Sequence, residues 1–293
     1  MGKINYIKHQ QINPLKWDTC ILNGNCNFSY GLYDYLDAIT NSSWDALILG
    51  DYEAVFPLPF KRKMGVYYIY QPIFCQQLGI FGDSKNIKVS NFIDSIPMKF
   101  LRIHLNLNAY NCDFSSTLLK TKPNFVLPVP HKPELTFNSD ALKNIKRLDK
   151  YNLTYKYNEP ISIVIHLFHN MWGEINKYRY PIDYELFENT CTKMKEKDQL
   201  LTLIVNNENG TLQGGAIFLI SPLRLHYICA APTEAGKKIG VMHGIIDKIC
   251  RDFENHTIDF EGSSYPTVAD FYKKFGGINE PYYRYENNFR LKL

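Results

Sequence analysis

Asp259, Glu261 and Tyr272 are the side chains whose types and spacing could do acid–base chemistry, all within the stretch TIDFEGSSYPTVADFYKKFGG at 257–277. The stretch reads as a strand, a polar loop, a short helix and a glycine stop. Alternate side chains of a strand share a face, so Asp259 and Glu261 lie on one side, roughly 7 Å apart, while Ile258 and Phe260 take the other. Carboxylates on one face raise each other's cost of ionisation, and a partly enclosed one can serve as base to an amine or a relaying water. The structural alternative is that both accept hydrogen bonds at the end of a sheet. In the helix, Val268, Phe271, Tyr272 and Phe275 recur at i, i+3, i+4 and i+7 and form the inward stripe. The Tyr272 hydroxyl then needs a partner, either a structural acceptor or a cleft into which it donates a proton. Thr267 and Asp270 match a capping box, and Gly276 and Gly277 supply a left-handed stop.

The elements that must position these groups follow a repeated plan. FSYGLYDYLDAIT (28–40) reads as a helix, followed by the strand candidates WDALILGD (44–51), EAVFPLPF (53–60) and VYYIYQP (66–72). DYELFENTCTKMKEK (183–197) again reads as a helix, followed by QLLTLIVNN (199–207), LQGGAIFLIS (212–221) and RLHYICAAP (224–232). Each set ends in an aromatic-rich strand closed by proline. The plan implies an α+β chain of paired α+β units. The proline-rich stretch TKPNFVLPVPHKPELTFNSD reads as the crossing between domains 1–130 and 131–293. PFKRKMG (59–65) is expected to be a hairpin turn with Lys61, Arg62 and Lys63 keeping an edge soluble. ALKNIKRLDKY (141–151) reads as a helix capped by Asn138, Ser139 or Asp140, with Leu142, Ile145 and Leu148 on one face. Its Lys143, Lys146, Arg147 and Lys150 are either a solvated face or a phosphate-binding one. The next helix, near 161–175, carries Ile161, Ile165, Phe168, Trp172 and Ile175 at core spacing. It also carries His166 and His169, read as helix-face histidines with no metal assigned.

The chain has 293 residues, 45% of them hydrophobic, enough for more than one core of ordinary size. A net charge of +4 is too small and too evenly spread for a dedicated nucleic-acid binder. Seven cysteines, odd in number and never in a C-x-x-C pair, fit reduced thiols better than a disulfide frame or a zinc site. The N-terminus has no apolar stretch suited to a signal peptide, and ISIVIHLF (161–168) is too short for a membrane span. A cytoplasmic protein is expected.

The strand TIDFEGS followed by the helix DFYKKFGG resembles the end of a GNAT acyltransferase domain, whose last helix bears an FY-x-x-FG signature. With the paired layout and the basic helix early in the second half, the chain resembles the Fem-type peptidyltransferases. The resemblance implies tandem GNAT-like domains, each a twisted, mostly antiparallel sheet flanked by helices. It implies that Tyr272 protonates a leaving thiolate and that Glu261, with Asp259 beside it, deprotonates an acceptor amine. Fem-type enzymes place a lysine in that helix; here the position is Tyr272, with Lys273 on another face, so tRNA is admitted as a donor but not favoured. The donor turn TEAGKKIG (233–240) departs from the Q/R-x-x-G-x-G/A pattern that holds coenzyme A: Gly236 is kept, Thr233 replaces Gln or Arg, and Lys238 replaces a small residue. Lys237 and Lys238 can still meet phosphate as point charges. An acyl-CoA or another activated acyl donor is the expected cosubstrate, with no tightly bound cofactor. Gln71, Gln76 and Gln77 cluster where a GNAT strand would open its cleft, suiting either a peptide or sugar amine acceptor or inter-domain hydrogen bonds. Lys146 and Arg147 are the nearest candidates for phosphate on the substrate side. The alternatives are a binding protein that has lost its donor site and an aminoacyl-tRNA-dependent peptidyltransferase.

Overall fold

The fully buried runs WDALIL and LLTLIVN have no polar face to show solvent, so each must lie inside a sheet covered on both sides. A computed structural model describes residues 2–26, 28–82, 87–111, 116–176, 181–262 and 265–288, with the side chains of 175 and 176 outside the description. It divides the chain into two compact units, Met1–Pro123 with Glu280–Leu293, and Asn124–Asn279. Cys112, Ser263 and the Ile175 side chain, all used in the sequence reading, lie outside the described residues.

The first unit contains β1 (Ile4–Ile7), α1 (Pro14–Leu22), α2 (Tyr33–Thr40), β2 (Trp44–Leu49), β3 (Ala54–Lys63), β4 (Val66–Ile69), β5 (Phe81–Gly82), α3 (Val89–Ser95), β6 (Phe100–Leu107) and β7 (Leu119–Lys122). Its sheet runs β1-β2-β3-β4-β6, then the C-terminal strand Tyr282–Asn287, then β7, with β5 paired to β3. The second unit contains β8 (Phe125–Pro128), α4 (Ser139–Leu148), β9 (Thr154–Tyr157), α5 (Ile161–Asn176), α6 (Tyr184–Lys195), β10 (Leu200–Asn206), β11 (Leu212–Ser221), β12 (Arg224–Pro232), α7 (Glu234–Ile239), α8 (Val241–Asp252), β13 (Thr257–Asp259), α9 (Pro266–Lys273) and β14 (Ile278–Asn279). Its sheet runs β14-β8-β13-β12-β11-β10-β9.

The sheets repeat one plan. Each is antiparallel except at one central pair, β4 with β6 and β12 with β13, and each parallel pair is joined through helices. The chain passes from the first sheet to the second between β7 and β8, and returns between β14 and the C-terminal strand.

Several sequence expectations need correction. Lys61, Arg62 and Lys63 are not a turn: β3 continues through them, paired to β4, and only Met64 and Gly65 turn the chain. Leu142 is 40% exposed, so α4 buries Ala141 and Leu148 instead and packs Ile145 at the edge of the core. Thr267 is not a cap: Pro266 occupies the first turn of α9 and Tyr265 stands at the N-cap without a side-chain bond. The stop does form, with Gly276 at φ +89° and the Gly277 N–H donating to the Tyr272 carbonyl at 3.2 Å. Asn138 caps α4 by accepting from the Ala141 N–H at 2.9 Å. Six free cysteines among the described residues are all buried, His166 and His169 are exposed on α5, and no described helix is long and apolar enough to cross a membrane.

Candidate functional site

The core of the second unit fixes the site's orientation. Leu225 and Tyr227 of β12, with Ile258 and Phe260 of the neighbouring segment, face a core shared with α8 and α9. With a period of two, Arg224, His226 and Asp259 must face the other way. The parallel register sets His226 opposite Asp259. A bulge in β12, where Ile217 pairs Cys229 but Phe218 pairs Tyr227, leaves Ile228 as the extra residue.

On this face the polar groups are buried and interlocked. The Arg224 guanidinium donates to an Asp259 Oδ2 2.8 Å away, with Asp259 wholly buried. The other Asp259 oxygen accepts from the Asn124 side chain and from the Glu261 backbone N–H, each at 3.0 Å. β13 stops at Asp259, so Glu261 is not a strand residue: its φ of +56° bends the chain, and that bend carries its carboxylate back over the strand end. Glu261 Oε1 lies 2.9 Å from Nδ1 of the fully buried His226, and 12% of the Glu261 side chain remains exposed. The other ring nitrogen of His226 lies 3.5 Å from Ser221 Oγ.

Electrostatics follow from this packing. Burial, reinforced by the Asp259 charge, pushes the Glu261 carboxyl well above the usual carboxylate range, and Arg224 only partly opposes it. Burial and the Arg224 charge push His226 well below the usual imidazole range. Together these directions favour a neutral pair, with the proton on the Glu261 carboxyl facing a neutral His226 imidazole. Tyr272 is 7% exposed, with its ring stacked on Phe260 at 4.2 Å and 8°. Burial and the fields of Glu261 and Asp259 raise its pKa, so the phenol stays protonated at neutral pH. Donor atoms of His226, Asp259 and Glu261 lie within 4.8 Å of one another, a spacing that a cation could bridge. Arg224 already supplies positive charge to Asp259 there.

Of the three sequence candidates, the structure places Asp259 and Glu261 in one buried network with Arg224, His226 and Asn124, which the sequence reading had not singled out, and packs Tyr272 in the neighbouring core against Phe260. The signal was present: Arg224 and His226 alternate with Leu225 and Tyr227, and polar side chains on the second face of a central strand need buried partners.

The remaining candidates lie elsewhere. Gly236 is at the start of the six-residue helix α7, whose cap is Thr233. The Thr233 hydroxyl accepts from the Gly236 N–H at 3.0 Å and its carbonyl from the Lys237 N–H at 2.8 Å. A Cβ on Gly236 would lie 1.9 Å from the Gln213 carbonyl oxygen, which explains the glycine by packing against β11. Lys237 and Lys238 are exposed on α7. Lys146 and Arg147 line a surface groove of about 670 Å³ along α4, together with Asp140 and Asp149, and Arg147 donates to the Ile239 carbonyl at 2.9 Å. Gln71, Gln76 and Gln77 belong to the first unit and stitch its 70–80 loop to the segment around β6. Gln71 accepts from the Asn106 N–H at 2.8 Å and donates to the Cys75 carbonyl. The Gln76 carbonyl accepts from the Asn106 amide at 2.7 Å, and Gln77 accepts from the Ala109 N–H at 3.1 Å.

Paired sheets of this order, each split by one parallel pair and flanked by helices, form a tandem GNAT-like fold, the fold shared by the solved structures that superpose on the chain. Among solved structures, FemX superposes with a TM-score of 0.71 at 14% identity, covering 97% of this chain and 98% of its own. The C-terminal domain of a putative lysylphosphatidylglycerol synthetase from Agrobacterium fabrum gives 0.57 at 10% identity, covering 93% and 91%. A tandem GNAT protein from the clavulanic acid biosynthesis pathway gives 0.50 at 8% identity, covering 97% and 98%. No family model and no curated protein matches the sequence.

Proposed function

We propose that the chain transfers an acyl or aminoacyl group from an activated donor to an amine, with Glu261 as the base, His226 as its positioning partner and Tyr272 as the proton source for the leaving group. The observation that carries this reading is the buried Glu261–His226 contact of 2.9 Å beside the Arg224–Asp259 pair, at the end of the central parallel strands. A carboxylate whose pKa is raised is a stronger base than an exposed one, and it accepts the amine proton directly or through one water. The amine nitrogen then bonds to the donor carbonyl carbon, the bond to the leaving group breaks, and the leaving group takes the proton that Tyr272 gives up. The bulge leaves Ile228 outside the regular pairing of β11 with β12, and backbone N–H groups at this part of the strand would polarise the donor carbonyl. Asp259 anchors the network without reacting, because Arg224, Asn124 and the Glu261 N–H occupy its oxygens.

The donor turn favours an activated donor held by something other than a diphosphate on α7. Its Gly236 N–H is taken by Thr233, and Glu234 adds a negative charge to the first turn. The same feature supports the second reading, a GNAT-like binding protein without a donor site. Incubating the protein and a panel of amines with labelled acyl-CoA thioesters, and separately with charged tRNA, tests both readings. Transfer by wild type that falls about a hundredfold or more in Glu261→Gln supports the enzyme. Binding of an amine with no transfer from either donor class supports the second reading, and equal rates in the variant remove Glu261 from the mechanism.

A further inference from the structure

Lys99 sits in the link between α3 and β6, and its ammonium is surrounded by rings. Nζ lies 4.7 Å from the ring centre of Phe100, 4.8 Å from Tyr6, 5.6 Å from Tyr67 and 5.8 Å from Phe60. Cation–π attraction acts within about 6 Å of a ring centre, and contacts of this kind occur roughly once per 70–80 residues, so a single cation meeting so many rings is a concentrated feature. The rings brace one another: Phe60 and Phe100 lie 5.8 Å apart, and Tyr6 and Tyr67 each meet Phe100 edge-on at 6.4 Å. At the base is Asp45, 6% exposed, which accepts from the Tyr6 hydroxyl and from the His9 N–H at 3.0 Å. Tyr6 keeps its proton, because burial and Asp45 raise its pKa. A negative charge therefore stands behind a wall of electron-rich faces, the arrangement that recognises alkylammonium groups.

The occupant is held by its own hydrogen bond to the Tyr6 hydroxyl and by the more distant Asp45 carboxylate at 3.5 Å, but it is not sealed in. The Lys99 side chain is 40% exposed and comes from a segment outside the regular elements, so a second cation that makes the same ring contacts can compete with it. The walls come from β1, β3, β4 and β6, all paired in one sheet, and so persist when the lysine swings out. We propose that Tyr6, Phe60, Tyr67, Phe100 and Asp45 form an alkylammonium-binding site in the first unit, of which Lys99 is the resident and displaceable ligand. A cationic group on a ligand would enter by exchanging with Lys99, and the lysine's tethered concentration sets the threshold for entry. The site is independent of the transferase reading and stands or falls separately.

Titration of the full chain tests this with n-butylammonium and its neutral counterpart 1-butanol, followed by aromatic-ring NMR shifts of Tyr6 and Phe100. Lys99→Ala is expected to bind n-butylammonium about tenfold or more tighter than wild type, and 1-butanol about tenfold or more weaker than the amine. Adding Tyr67→Leu to Lys99→Ala should abolish the difference between amine and alcohol. Equal binding of amine and alcohol, or equal affinity in wild type and Lys99→Ala, overturns the proposal. A second measurement needs no variant: the Lys99 side-chain methylene signals, ring-shifted in the cage, should move to free-lysine positions as tetramethylammonium chloride is added, and stay in place in sodium chloride of the same ionic strength. Signals that ignore tetramethylammonium overturn it as well.

Discussion

Glu261 combines a left-handed backbone with a buried carboxyl, and each works against the folded state. A φ of +56° costs a non-glycine residue about 1 kcal/mol or more, and burial beside Asp259 resists ionisation. The sign of the pH dependence follows. With its folded pKa raised above the unfolded value, the native protein binds more protons than the unfolded chain in the interval between, so Glu261 subtracts stability as pH rises through it. Glu261→Gln is therefore expected to be more stable than wild type at pH 7–8 by about 0.5–2 kcal/mol, read from urea unfolding, with the stabilities converging below about pH 4. Parallel curves across that range would show that Glu261 carries no raised pKa. His226 gives the opposite slope: with its folded pKa lowered, stability is present above about pH 6.5 and lost as pH falls below it. Activity should rise with pH on a limb that Glu261→Gln lacks. Tyr272→Phe keeps the stacking on Phe260, so it should leave the melting temperature within a few degrees of wild type while cutting turnover about ten- to a thousandfold. Turnover equal to wild type would remove the proton-donor role. The closeness of Asp259 and Glu261 was legible from spacing, as was the inward turn of Tyr272. Their partners were not, because Arg224, His226 and Asn124 join them only through pairing across strands distant in sequence.

Helix ends and strand limits were the least legible elements, and α7 shows why. TEAGKKIG reads as an anion turn from its glycine, but neighbours distant in sequence decide what the glycine is for: its missing Cβ admits the Gln213 carbonyl of β11. Gly236→Ala should push α7 off the sheet and cost about 1–3 kcal/mol, measured by urea unfolding, with Thr233→Ala costing about 1 kcal/mol through the lost cap. A Gly236→Ala variant as stable as wild type would mean that α7 shifts freely and that the turn's shape is not set by packing. Leu142 was misplaced for a related reason. A 3.6-residue period identifies a helix face, but only the position of α8 decides which edge of that face is covered, and it covers Ala141, Ile145 and Leu148. β3 extends beyond its apolar stretch because pairing with β4 supports Lys61–Lys63 whatever their charge, and Lys61 and Arg62 lie over the rings of Tyr70 and Tyr67.

The repeated plan was legible because it is local: a helix, three strands and a closing proline recur within about fifty residues in each half. The route of the last strand was not, since YYRYEN carries no mark of the sheet it joins. It inserts between β6 and β7, pairing Tyr283 with Leu107 and with Thr121, so the first sheet is completed by residues that follow the entire second unit. β7 makes its sheet contact through that strand, and β6 otherwise keeps its parallel pairing with β4 and a parallel bridge from Leu107 to Leu78. A chain ending at Asn279 should therefore lose more than its own residues. Amide exchange in β6 and β7 is expected to accelerate by orders of magnitude, while β10, β11 and β12, bonded within Asn124–Asn279, retain their protection. If β10–β12 exchanged as fast as β6, the units would be one cooperative block instead of separately stabilised sheets, and the strand exchange would be the element that makes them so. If β6 kept its protection, the parallel contacts with β4 and Leu78 would suffice to hold the first sheet, leaving the returning strand without a stabilising role.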